Sequence, residues 1–209
     1  MGLGGGNDLL NSPRYLVNSD PDGHMYADST VGVQRVDAIR VMHIDLDYVY
    51  DPDPVQQDAN ISQLIQRVAD MGPNIVFLQA YADPKGDGLV HEVYFPNRHL
   101  PMRANLFNRV AWQLKTRARV DVFAWMPVLS FALDSRLPRV TRWDPKTGNV
   151  AADPKQYQRL SPFDPTVRQQ IGDLYEDLAR TTPVNGILFH DDAILSDFED
   201  ASPGALKAY

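Results

Sequence analysis

Two short segments concentrate side chains from which chemistry can be built. One is His43-Ile-Asp-Leu-Asp47; the other is His190-Asp-Asp192, followed by Asp197, Glu199 and Asp200. If the first is a strand, alternation places His43, Asp45 and Asp47 on one face and Ile44 and Leu46 on the other. Three polar groups on the inner face of a buried strand are costly unless paired or used. In the second segment, neighbouring carboxyls oppose each other's ionisation, so one can stay protonated and act as a general acid. Glycoside hydrolysis needs such a set: one carboxyl protonates the leaving oxygen and another stabilises the developing cation. In substrate-assisted enzymes the second carboxylate instead orients the substrate's N-acetyl group. Asp191, Asp192 and Asp197 are therefore the candidate catalytic acids. Glu199 and Asp200 read better as capping residues of a solvated acidic loop.

The candidate substrate-binding residues are His43, Asp45, Asp47, Tyr48, Gln79, Tyr81, Trp125 and His190. Sugar rings stack on aromatic faces, although aromatics are also ordinary core residues. Trp125 is the best stacking candidate, with Tyr48, Tyr81, Phe95 and Phe163 near strand ends or in loops. Trp112 lies within a helical pattern and reads as core. His and Asp at two strand ends would also suit a divalent ion, but the spacing matches no closed ligand signature, so no metal or other cofactor is expected.

These residues need a scaffold, and the hydropathy pattern supplies one. Residues 40–50 alternate and are rich in strand formers. Ile61, Leu64, Ile65, Val68 and Met71 recur at helical spacing, and Gly72-Pro73 ends that helix. Residues 75–81 form a second strand and 105–117 a second helix. Residues 120–129 are a third strand and 165–180 a third helix, with Asp164 as cap and Pro165 at its first position. Residues 186–192 are a fourth strand. Long loops, 82–103 and 130–163, interrupt the pattern.

Strands alternating with amphipathic helices imply a parallel sheet, either doubly wound or a (β/α)8 barrel. No G-x-G-x-x-G or Walker sequence occurs. Polar and aromatic residues gather at the C-terminal ends of all four strands, where barrels carry their chemistry. A full barrel needs roughly 250 residues. Residues 40–209 therefore read as a (β/α)8 TIM-like barrel truncated to about its first four units. Residues 1–39 are polar and turn-rich, an irregular lead-in or the tail of an upstream domain.

Composition narrows the partners. The 209 residues are 44% apolar and 22% charged, enough for a packed domain. Twenty Lys and Arg against 27 Asp and Glu give a net charge of −7, which disfavours nucleic acid and suits a cationic ligand. Cysteine is absent, which excludes thiolate catalysis and disulfides. No apolar run reaches the length of about 18 residues that a membrane span requires. No export signal is expected in residues 1–7.

Six ordered blocks resemble a known family: Arg40-Val-Met-His-Ile-Asp-Leu-Asp-Tyr-Val-Tyr-Asp51, Tyr94-Phe-Pro-Asn-Arg98, Val110-Ala-Trp-Gln-Leu114, Ala124-Trp-Met-Pro-Val-Leu129, Arg159-Leu-Ser-Pro-Phe-Asp164 and Gly186-Ile-Leu-Phe-His-Asp-Asp-Ala193. They are similar to the C-terminal domain of the PgaB family, two-domain poly-β-1,6-N-acetylglucosamine N-deacetylases of biofilm-forming Gram-negative bacteria. The resemblance implies a (β/α) barrel with an acidic groove for the partly deacetylated polymer and glycoside hydrolase activity on it. It also implies a metal-dependent deacetylase domain upstream, a periplasmic, outer-membrane-associated location and an outer-membrane export pore as partner. Two functions stay open: a hydrolase that cleaves the polymer, and a non-catalytic module that only grips it during export.

Overall fold

In this computed structural model, residues 38–209 are described. Before them only the antiparallel pair β1 (Asn18–Ser19) and β2 (Met25–Tyr26) is described, so the expected irregular lead-in otherwise lies outside the described residues. The chain divides into Met1–Ile39 and Arg40–Tyr209, and the second unit carries all that follows.

The first strand of this unit, β3 (Val41–Ile44), is shorter than its alternating pattern. Asp45 stops it: its carboxylate accepts the N–H of Asp47 at 2.8 Å and starts a 3-10 turn over Leu46–Tyr48. The expected strand face shared by His43, Asp45 and Asp47 is thereby corrected, because a local side-chain bond outcompetes the ladder. Helix α1 (Pro54–Met71) follows, capped by Asp53 and closed by Gly72. It buries Ile61, Ile65 and Val68, a contribution of roughly 1.5–3 kcal/mol for each side chain. Next come β4 (Ile75–Gln79), then the antiparallel pair β5 (Tyr81–Ala82) and β6 (Glu92–Val93) inside the first long loop.

Helix α2 (Phe107–Gln113) runs into a π-helical turn over Leu114–Ala118. Its buried face is Phe107, Val110, Ala111 and Leu114. Trp112 lies on the opposite side and is 61% exposed, which corrects its reading as core. After β7 (Asp121–Met126), the second long loop holds the antiparallel pair β8 (Arg142–Trp143) and β9 (Val150–Ala151). Helix α3 (Pro165–Thr181) begins as expected, with Asp164 accepting the N–H groups of Thr166 and Val167. Strand β10 (Gly186–Phe189) gives way to a 3-10 turn at Asp191–Ala193, and α4 (Pro203–Ala208) closes the chain.

Strands β3, β4, β7 and β10 form one parallel sheet in sequential order. A doubly wound sheet reverses its strand order at a switch point, whereas a barrel winds in sequence. The sheet's two faces differ. Ile44, Val76, Leu78, Val122, Ala124 and Met126 are buried in one core with the helices. The other face carries His43, Phe77, Phe123 and Trp125, less covered and packed edge to face: His43–Phe77 at 4.9 Å, Phe77–Phe123 at 5.9 Å and His43–Trp125 at 5.5 Å.

Candidate active site

A cavity of about 430 Å³ opens where the parallel strands end. Each strand delivers one side chain to it: Asp45 just past β3, Gln79 at the end of β4, Trp125 from β7 and His190 just past β10. Tyr48 and Tyr81 also line it, so the structure brings together six of the eight candidate binding residues.

The wall is aromatic. The Trp125 and His190 rings stack with centroids 5.6 Å apart, Tyr81 meets Trp125 edge-on at 5.7 Å, and Tyr157 meets His190 edge-on at 5.2 Å. Tyr157, Pro127, Gly88 and the ridge Asp83-Pro-Lys-Gly86 complete the lining and were not anticipated. The ridge follows the second strand, a position that could have flagged it. Tyr157 lies deep in a long loop with no local signal. Gly88, beside the ridge, has φ +71°, and a Cβ there would lie 2.6 Å from the Tyr157 ring. A glycine is required on both counts.

His43 and Asp47 do not line the cavity. His43 supports Trp125 through their edge contact. Asp47 is consumed by the fold: it accepts the Tyr94 hydroxyl at 2.5 Å and the N–H of Asp83 at 2.7 Å, with Gln79 Nε2 at 3.4 Å. It thus fastens the ridge to the sheet end. Asp83 in turn accepts the N–H groups of Asp87 and Gly88.

Nor do the three candidate acids line the cavity, and they occupy different environments. Asp192 is 1% exposed and accepts the backbone N–H groups of Val128 at 2.9 Å, Leu129 at 2.6 Å and Ser130 at 2.7 Å. A buried carboxylate aimed at three backbone donors anchors the chain beyond β7 and has no face for substrate. The same chain is held by the Tyr175 hydroxyl, which donates to the carbonyl of Pro127 at 2.6 Å. The Asp191 side chain is 67% exposed, with Oδ1 3.0 Å from His190 Nδ1. That nitrogen makes no aligned hydrogen bond. Asp197 is exposed on the loop beyond. Glu199 and Asp200, expected to be solvated, are instead built in. The Glu199 side chain is buried against Arg159, and Asp200 accepts the hydroxyls of Ser161 and Ser202 and the N–H groups of Thr141 and Ser202. Phe95 is core, and Phe163 packs against Tyr209.

Burial raises the Asp45 carboxyl above the usual carboxylate range. The N–H of Asp47 opposes the shift, and the charges of Asp47 and Asp83 reinforce it. The Tyr81 phenol is pushed up by burial and then by Asp83 and Asp45; Tyr157 by burial and then by Asp191 and Asp192. Both stay protonated donors at neutral pH. The field of Asp191 therefore reaches the cavity wall at Tyr157. Among the described residues no cluster of three His, Asp or Glu is disposed to hold a metal ion, and no helix is long and apolar enough to cross a membrane.

Sequentially wound parallel strands with an acidic, aromatic cavity of sugar size at their carboxyl ends define an α/β domain of the (β/α)-barrel type. Comparison with known proteins narrows the class. The chain belongs to hypothetical glycosyl hydrolase family 13, whose model matches residues 43–209. It is 54% identical over 208 residues to the poly-beta-1,6-N-acetyl-D-glucosamine N-deacetylases of Escherichia coli K12 and O157:H7. The match takes in all of this chain and 31% of each relative, so the chain spans about a third of their length. Among solved structures it is similar to the PgaB (BpsB) glycoside hydrolase domain from Bordetella bronchiseptica, with TM-score 0.75 and 55% identity over 82% of this chain and 49% of that one. An isomaltulose synthase mutant from Erwinia rhapontici NX5 shares the fold alone, with TM-score 0.50 and 15% identity over 81% of this chain and 38% of that one. The family resemblance carried by the six sequence blocks is thereby established.

Proposed function

We propose that this domain binds partly deacetylated poly-β-1,6-N-acetylglucosamine and hydrolyses its glycosidic bonds. One observation carries the proposal: every strand of the parallel sheet delivers a polar or aromatic side chain to one sugar-sized cavity, and the Asp45 carboxyl in it is held above its usual range. The names of the relatives supply the polymer, and the family supplies the reaction class. In this reading Trp125 and Tyr81 stack the sugar, while Gln79 and His190 orient its hydroxyls. The general acid is Asp191 or Asp197 reaching in from the loop after β10, or Asp45 from the opposite wall. The described strands are the first four units of an eight-fold barrel. N-deacetylation belongs to a separate domain, and the setting is the periplasm beside an outer-membrane export pore.

A second reading, a non-catalytic grip on cationic polymer, is favoured by the absence of all three candidate acids, Asp191, Asp192 and Asp197, from the cavity lining. Incubating the full-length protein with partly deacetylated oligomers separates the two. New reducing ends support the hydrolase; tight binding without them supports the grip.

A further inference from the structure

The motif Arg159-Leu-Ser-Pro-Phe-Asp164 contributes nothing to the cavity, yet its first residues sit in a dense buried polar clasp. The side chains of Arg159 and Glu199 are 2% and 1% exposed and form a 2.6 Å ion pair. Arg159 also donates to the carbonyl of Ile194 at 2.5 Å, and the second Glu199 oxygen accepts the N–H of Ser196 at 3.0 Å. Beside them Ser161 donates to Asp200.

Burying an ion pair costs several kcal/mol per ion, and a well-packed apolar pair is often as stable or more so. Stability is thus a poor reason for the pair. What it fixes is position. Residues 194–199 form the arc that carries Asp197, directly after Asp191. Arg159 stands two residues from Tyr157, on the cavity wall. Bonds from Arg159 to Ile194 and Glu199 stitch the arc to the chain beside Tyr157, and the Ser196 N–H braces Glu199 within the arc.

We propose that Arg159 and Glu199 are positioning residues for cleavage, setting the arc that bears Asp197 against the wall that bears Tyr157. This rests on the hydrolase reading above. The test compares the full-length protein with Arg159→Met/Glu199→Leu, an apolar pair of similar bulk, and with Arg159→Lys, which keeps the charge but not the second bond. Four quantities are read: melting temperature, kcat, KM, and amide hydrogen exchange over residues 191–198. The double variant is expected to melt near the parent and to lose protection over the arc. Its kcat should fall about 10²-fold, the penalty for misplacing a reacting group by about 1 Å, with KM changed little. Arg159→Lys should fall between the two. A folded double variant with parental kcat and parental arc protection overturns the proposal. If the double variant does not fold, Arg159→Lys decides alone: a lower kcat at unchanged melting temperature and KM supports positioning, and parental kcat overturns it. If the parent itself releases no reducing ends, the hydrolase reading fails separately. Exchange over the arc then decides, and unchanged protection in the variants overturns positioning.

Discussion

Replacing Asp192 by Asn tests whether this residue is an anchor or an acid. The carboxylate accepts three backbone N–H groups: Leu129 and Ser130 on Oδ2, and Val128 shared between Oδ1 at 2.9 Å and Oδ2 at 3.1 Å. An amide oxygen in the Oδ2 place keeps Leu129 and Ser130 but as neutral bonds, each weaker by roughly 1 kcal/mol. The amide NH2 then faces the Val128 N–H and leaves it only its longer bond, 3.1 Å, to the oxygen in the Oδ2 place, at a cost of roughly 1–2 kcal/mol. Relief of the carboxylate's own desolvation offsets part of this. The net loss is about 2–4 kcal/mol, a large share of the roughly 5–15 kcal/mol that holds a domain together. For a chain of this size it corresponds to a fall in melting temperature of about 4–16 °C. Urea unfolding followed by tryptophan fluorescence measures it, with Asp191→Asn as control; that exposed side chain should shift stability by less than about 0.5 kcal/mol. A catalytic acid would behave in the opposite way, losing about 10²–10⁴-fold in rate with stability intact. If Asp192→Asn unfolds at the parental urea midpoint, the anchoring argument is wrong.

Four further outcomes are expected. Asp45→Asn should stabilise the fold at neutral pH and not below the unfolded carboxyl's pKa: a raised folded pKa means stability is lost as pH rises through it, and the amide removes that loss. Unfolding curves across pH 3–7, bracketing the usual carboxylate pKa, check the sign. Trp125→Ala should weaken oligomer binding about 2- to 13-fold, the equivalent of roughly 0.5–1.5 kcal/mol of ring contact. Added salt should weaken binding of glucosamine oligomers more than of fully acetylated ones, both read by calorimetry. Gly88→Ala should cost about 1–2 kcal/mol for the left-handed backbone alone, and should also displace Tyr157, seen as weaker oligomer binding.

The helices and parallel strands were legible because their signals are local and redundant. Asp164-Pro165 opens α3 and Gly72 closes α1 through capping chemistry that needs no tertiary context. Strand ends were less legible. The alternation through Asp45 and Asp47 continues in sequence, but the Asp45 side chain captures the Asp47 N–H and turns the chain. The same limit explains Asp192. Position at a strand end marks a residue for function, yet nothing local announces that Val128, Leu129 and Ser130 will present their N–H groups to it. Glu199 and Asp200 looked solvated because an acidic run usually is; their partners lie about 40 residues earlier, at Arg159 and Ser161. Tyr157 reaches the cavity only through the path of a long loop.

The allocation of carboxylates bears on the choice between cleavage and grip. Asp47, Asp192, Glu199 and Asp200 are spent on backbone N–H groups, hydroxyls and a guanidinium. They tie down the ridge and the chain beyond β7, which border the cavity, and also the arc after β10. Such rigidity gives little to a module that merely holds a flexible cationic polymer, for which exposed charge suffices. It matters for catalysis, where a reacting group must be held close to its productive geometry. Asp191 and Asp197 are not tied down in this way; Asp45 gives one oxygen to the Asp47 N–H and combines a place in the cavity with a raised pKa. A grip would be served better by a carboxylate kept ionised. A half-buried acid inside a rigidly framed, sugar-sized cavity is the arrangement proton transfer requires, and it favours the hydrolase.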